Sequence, residues 1–218
     1  MRIGYGISQR FCQLGFLSYF RGRVFGREHV PRRGPVVLVC NHQSFMDPVF
    51  ATQALPRECH YMARDTLFKN AAFRRVIEYY NAFPVRRGTA DIGAIKETLR
   101  RLKRGGLVTM FPEGTRTPDG RVGEMQSGVV LIARKARAPL VPTMILGAFE
   151  AWPRHRKTPR FAPVIVAYGQ PVSACEVRAL DAERCIEILR ERIIALMQRY
   201  RSHSLVAHCG LSANRRRG

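Results

Sequence analysis

From Gly34 onward the chain is built of short apolar runs that alternate with longer segments of helical period, and this alternation limits the fold more than any other feature. The runs are 35–40 (PVVLVC), 59–63 (CHYMA), 82–85 (AFPV), 107–111 (LVTMF), 140–145 (LVPTMI) and 163–168 (PVIVAY). They are four to six residues long, several are rich in β-branched residues, and they are bounded by turn formers, as strands are. Between them, helices are expected at about 48–55, 66–80, 89–104, 126–137 and 181–200. In the last of these, apolar residues fall at 185, 188, 189, 193, 196 and 197, a helical period. Strands alternating with helices predict an α/β fold with a mostly parallel central sheet flanked by helices.

The chain has 218 residues, enough for one domain with short appendages, and 46% of them are apolar. Its net charge of +21 comes from 32 Arg and 5 Lys against 16 acidic residues. Such a chain meets something anionic: a phosphorylated small molecule, a lipid headgroup or nucleic acid. Helix-turn-helix, aromatic RNP-type strand and zinc-module patterns are all missing, which argues against nucleic acid as a partner. The six cysteines, Cys12, Cys40, Cys59, Cys175, Cys185 and Cys209, include no C-x-x-C pair and no zinc-type spacing to histidine. They read as reduced thiols of a cytosolic protein, with no metal.

Three regions are expected. Residues 1–33 are basic and aromatic, and 8–20 (SQRFCQLGFLSYF) suit an amphipathic helix at a membrane interface, followed by irregular chain. Residues 34–200 form the α/β domain, and 201–218 form a basic, disordered tail. No stretch approaches the roughly 20 apolar residues of a spanning helix. A peripheral position on an anionic membrane surface, at its cytoplasmic face, is therefore expected.

Two strand-end turns carry the chemistry. In "CNHQSFMDP" (40–48) a strand runs into His42, and Asp47 precedes Pro48. Pro48 suits the first turn of a helix, which makes Asp47 its expected N-cap. The carboxyl ends of the strands are where open α/β sheets bind ligands. The spacing lets Asp47 reach one nitrogen of the His42 ring and leave the other as a base. The same residues also suit an ordinary strand-end histidine beside a capping aspartate, and the spacing alone does not separate the two. In "LVTMFPEGTRTPDGR" (107–121), Pro112 and Gly114 turn the chain and present Glu113, Thr115 and Arg116. Arginine offers a planar fork matched to phosphate. Arg64 and the pair Arg86 and Arg87 follow other strands and can converge on the same sheet edge.

The segments "NHQSFMD", "ARDTLFK…AFPVRR", "FPEGTR" and "PLVPTMI" stand in the order and spacing of the glycerolipid acyltransferases, whose type member is 1-acylglycerol-3-phosphate acyltransferase. The resemblance runs from about Pro35 to Pro171. It implies transfer of a fatty acyl group from acyl-coenzyme A or acyl carrier protein to the free hydroxyl of a lysophospholipid, with no cofactor beyond that donor. By position, His42 is the implied base and Asp47 its orienting carboxylate. Glu113, Gly114, Thr115 and Arg116 match the motif that holds the acceptor glycerol phosphate. Arg64 stands where a lysine is usual and Arg87 where an arginine closes the second motif. Val141 and Pro142 match a motif assigned to the acyl side. Three features depart from the family. Arg86 replaces a frequent Asp, Gln126 replaces a frequent cation in F-K-x-G, and the longer transmembrane N-terminus of many members is not seen. The first two leave the acceptor headgroup open. An acyl-enzyme on Ser44 or Cys40 is the weaker alternative to direct transfer.

Overall fold

In the computed structural model, which describes residues 2–86 and 91–201, a seven-stranded sheet forms the centre. The strands are β1 (Arg23–Phe25), β2 (Val36–Cys40), β3 (Cys59–Arg64), β4 (Ala82–Val85), β5 (Leu107–Met110), β6 (Leu140–Leu146) and β7 (Ile165–Tyr168). Their order is β1-β7-β6-β2-β5-β3-β4. Strands β2 to β6 are mutually parallel, and β7 joins β6 antiparallel with Thr143 opposite Tyr168. All the expected strands are present. Every residue of β2 and β6 is buried, as expected for parallel strands covered on both faces.

The helices are α1 (Ile3–Ser18), α2 (Asp47–Phe50), α3 (Ala71–Tyr79), α4 (Ile92–Lys103), α5 (Gly128–Ala136), α6 (Ala148–Ala151), α7 (Ala174–Ala179) and α8 (Ala182–Arg201). One face of the sheet packs on α4, α5, α7 and α8, through Leu102, Val130, Val177, Leu189 and Ile193. The other packs on α1 and α2 around Phe16, Leu38, Phe50 and Tyr168. Phe50 sits between Phe16 and Phe20, with ring centroids at 5.5 and 5.0 Å. Burying each such side chain contributes about 1.5–3 kcal/mol, so residues 1–33 share a core with the rest of the chain.

Several boundaries differ from expectation. Helix α1 begins at Ile3, not near 8. The expected helix at 48–55 is one α-turn followed by irregular turns. The segment 66–80 is split: a 3-10 turn spans Asp65–Phe68, and α3 restarts where the Asn70 side chain accepts from Phe73 N at 2.9 Å. The stretch after Phe20, expected to be irregular, contributes β1, which pairs with β7. Helices α6 and α7 were not expected. Arg87, Cys209 and the tail beyond 201 lie outside the described residues.

Candidate active site

Strand β2 lies between β5 and β6, and the chain after Cys40 leaves the sheet as four consecutive buried polar residues, Asn41 to Ser44. Each is committed elsewhere in the fold. Asn41 continues β2 by hand: its amide donates to Ile145 O at 2.8 Å and accepts from Ile145 N at 2.8 Å. Gln43 donates to Gly120 O at 2.9 Å and accepts from Phe149 N at 3.4 Å, tying the turn to two loops. His42 stands between them with its backbone fixed from both sides. Its N–H donates to Glu113 Oε1 at 2.8 Å, and its carbonyl accepts from Thr117 N at 2.8 Å. The Phe111 ring stacks on the imidazole, with centroids 4.3 Å apart and planes at 29°.

Asp47 does not cap α2. Met46 holds the N-cap position, and the Asp47 carboxylate folds back over the preceding turn. There its Oδ2 accepts from Gln43 N at 2.6 Å, Ser44 N at 2.7 Å and the His42 ring at Nδ1, 2.8 Å. The carboxylate thus bonds to the turn before it rather than to the helix after it. Burial of Asp47 pushes its pKa up, and the hydrogen bond and charge of His42 oppose this. Three N–H donors on one oxygen favour the ionised carboxylate. An ionised carboxylate can only accept, so Nδ1 carries the ring proton and Nε2 keeps its lone pair. The ring retains a little exposure while Asp47 has none. The outcome is an oriented imidazole that faces outward from a buried carboxylate.

The turn after β5 braces this pair. Gly114 takes φ of +70°, which a side chain would strain. Glu113 Oε1 holds His42 N, and its Oε2 accepts from Gly123 N at 3.2 Å. Burial pushes the Glu113 carboxyl up to about 7, against the opposing pull of those two N–H groups. Arg116 has no hydrogen bond or ion pair with any described side chain. Burial lowers the pKa of its guanidinium, and so does the charge of Arg154, while Asp47 opposes them. Arg116 therefore feels both Asp47 and a second arginine, Arg154, with no carboxylate bound to it, an arrangement that attracts an anion. Arg154 escaped the sequence reading because it arrives from far along the chain. Gly147, at φ +89°, ends β6 and starts α6, and Trp152 beyond it packs edge-on against Phe45 at 5.7 Å.

The other candidates are placed separately. Arg64 ends β3 and is exposed, one strand beyond β5. Thr115 is exposed at the tip of the β5 turn. Val141 and Pro142 lie inside β6, opposite Leu38 and Val39, buried within the sheet. Cys40 is fully buried, and that burial holds its thiol well above its usual pKa; Ser44 is fully buried too. Neither is presented as a nucleophile.

Two hollows flank the turn. An apolar groove of about 330 Å³ runs between α1, α2, α3 and β3, reaching Phe45 and Met46. A cleft of about 720 Å³ lies between α4 and α5, beyond the ends of β3, β4 and β5, and reaches Phe111 and Glu113.

The acyltransferase family model matches residues 21–146, more than half the chain. A 1-acyl-sn-glycerol-3-phosphate acyltransferase of Bacillus subtilis is 34% identical over 143 residues, covering 63% of this chain and 71% of that protein. The human alpha enzyme of the same name is 29% identical over 206 residues, covering 93% and 69%. The chain spans only 43% of a chloroplastic relative from Brassica napus, at 27% identity. The crystal structure of the 1-acyl-sn-glycerophosphate acyltransferase of Thermotoga maritima superposes with a TM-score of 0.78 at 26% identity, covering 89% of this chain and 78% of that one. With the motifs in order on the sheet edge and more than half its length matched, the chain belongs to the glycerolipid acyltransferase family.

Proposed function

We propose that this protein transfers a fatty acyl group from an acyl thioester, acyl-coenzyme A or acyl carrier protein, to the free hydroxyl of 1-acylglycerol-3-phosphate, giving phosphatidic acid. The observation that carries the reading is the single Asp47 oxygen that holds His42 Nδ1 and two N–H groups, which leaves Nε2 as the base. The acceptor hydroxyl gives its proton to Nε2 as its oxygen attacks the thioester carbonyl. Asp47 stabilises the imidazolium. Collapse of the adduct breaks the C–S bond, and the imidazolium returns the proton to the departing thiolate. General-base assistance of this kind is worth about 10²–10⁴-fold. Arg116 grips the acceptor phosphate, helped by Arg154, and so fixes the hydroxyl near Nε2. The apolar groove beside Phe45 and Met46 offers room for a hydrocarbon chain. It opens between α1 and α3, where exposed Phe73 and Val76 continue the apolar surface of α1. This supports lipid entry from an anionic bilayer, with the protein lying on the membrane.

The test is thiol release from palmitoyl- or oleoyl-coenzyme A by the purified protein, with and without 1-acylglycerol-3-phosphate, beside a panel of other lysolipids. Release that depends on the phosphate acceptor is expected. Equal release with a neutral lysolipid would assign another acceptor.

A further inference from the structure

The groove beside α1 and the cleft between α4 and α5 differ in character, and the His42 turn lies between them. The groove is lined almost wholly by apolar side chains and opens beside the exposed apolar residues of α1 and α3. The cleft has apolar inner walls, with Ile95 from α4 and Ile132 from α5, but a polar mouth. Exposed Arg86 and Gln126 line that mouth. At the inner end stands Phe111, the ring stacked on His42. Met62, inside β3, lines both hollows, so this one side chain stands between them.

Arg86 is exposed, and its backbone N–H, then its charge, help hold the Asp91 carboxyl below the usual range. Its backbone N–H donates to Asp91 Oδ2 at 2.9 Å, and Asp91 Oδ1 accepts from Ala94 N at 3.0 Å as the cap of α4. The Arg86 guanidinium itself has no hydrogen bond or ion pair with a described residue. The cleft thus presents Arg86, the capping carboxylate Asp91 and the Gln126 amide together with apolar walls, and it reaches Phe111, the ring stacked on His42. The two substitutions that depart from the family pattern, Arg86 and Gln126, both line this cleft.

We propose that this cleft receives the 4′-phosphopantetheine arm of the acyl donor, with Arg86 on its phosphate and Gln126 on its amides. The inference rests on the thioester-transfer reading above. A thioester held at His42 needs two exits: an apolar one for the acyl chain and one with a polar mouth for the thiol-bearing arm. The arm is amphipathic, with a phosphate at one end, a dimethyl carbon next to it and two amides toward the thiol, and the cleft offers a cation, an amide and apolar walls. A cleft of about 720 Å³ lies within the usual range of small-molecule sites. Coenzyme A and acyl carrier protein both carry this arm.

Two variants test it. In Gly128→Leu a side chain enters open space in the cleft, since an added Cβ meets no atom within 4 Å. Arg86→Ala removes the cation while keeping the backbone bond to Asp91. Circular dichroism checks each fold. Expected is a rise of about tenfold or more in the donor KM for palmitoyl-coenzyme A with unchanged acceptor KM. Calorimetric binding of coenzyme A should weaken by a similar factor. A palmitoyl thioester of N-acetylcysteamine, which lacks the phosphate, should be insensitive to Arg86→Ala. Palmitoyl-acyl carrier protein run in parallel tells which source of the arm is used: the arm's natural carrier shows the larger kcat/KM and the larger loss. A rise in acceptor KM alone, or equal losses on the phosphate-free thioester, would overturn the assignment. So would turnover and coenzyme A binding that neither variant changes, with the acyltransfer reading left standing. A wild-type protein that releases no thiol from any of the three donors overturns that reading and this one together.

Discussion

Asp47 is buried and Glu113 half-buried, both within reach of His42, yet their surroundings set them different tasks. Asp47 contacts the imidazole ring, and Glu113 contacts only the backbone of the same residue. Asp47→Asn should therefore keep the fold but lower kcat by about 10²–10⁴-fold, because an amide can donate to Nδ1 and so favour the wrong tautomer. His42→Ala should abolish transfer with a normal circular dichroism spectrum; near-wild-type turnover in a folded His42→Ala protein would remove the mechanism. For Glu113 the expectation concerns stability. Its folded pKa, about 7, lies above the usual carboxylate value, so the folded state holds a proton that the unfolded chain releases. The contribution is fully present below about pH 4.3 and is lost as pH rises through about 7. The loss is at most about 1.4 kcal/mol per pH unit in that window. Chemical denaturation of wild type and Glu113→Gln across pH 4–8 should show the wild type losing stability relative to the variant. Parallel curves would mean that Glu113 titrates normally.

The strand-end turns are the elements that deliver the chemistry. The turn after β5 ends in an arginine that no described side chain engages, so Arg116→Ala should raise the acceptor KM or lower kcat with little change in donor KM. Loss of a charged hydrogen bond is worth about 1.5–3 kcal/mol, roughly 10- to 150-fold. A rise in donor KM instead would move Arg116 to the donor phosphates. These turns were legible in the sequence because each follows a near-continuous apolar run, and strands buried on both faces leave that mark. Strand β1 was not legible: three residues are too few for a pattern, and its partner β7 lies some 140 positions away. Helix α7 did carry a local signal, since Ser173 and Glu176 make a capping box, but the segment is only six residues long. The direction of the Asp47 side chain was misread for another reason. A carboxylate before a proline can cap forward or fold back, and the choice is made by Gln43 N, Ser44 N and the imidazole. Arg154 had no local signature, because only the path of the chain after Gly147 places its charge near Arg116.

At the scale of the whole molecule, α1 is apolar on both sides. Its inner stripe, Tyr5, Gln9, Cys12 and Phe16, is pinned to the domain. Tyr5 accepts from Cys59 N at 3.3 Å, and Gln9 donates to Thr52 O and Leu55 O at 3.2 and 2.8 Å. The opposite stripe, Ile3, Ile7, Phe11 and Leu14, is 84%, 56%, 70% and 62% exposed. Among the described residues no helix is long and apolar enough to cross a membrane. An outward apolar stripe on a rigidly held helix suits insertion into the headgroup boundary, and the net charge of +21 suits an anionic surface. Removing residues 1–22 would be a poor test, because Phe16 and Phe20 belong to the core and their loss would unfold the domain. The paired substitution Phe11→Glu and Leu14→Glu leaves the inner stripe intact and puts two charges where the bilayer should be. Flotation with phosphatidylglycerol-containing vesicles should recover the wild type at low salt, with much less recovery on phosphatidylcholine alone and release at high salt. The double variant should keep its melting temperature, lose vesicle binding, and lose activity on vesicle-borne acceptor more than on a soluble short-chain lysolipid. If it floats as well as the wild type, the stripe is not the anchor, and the basic surface of the α/β domain must hold the protein at the membrane.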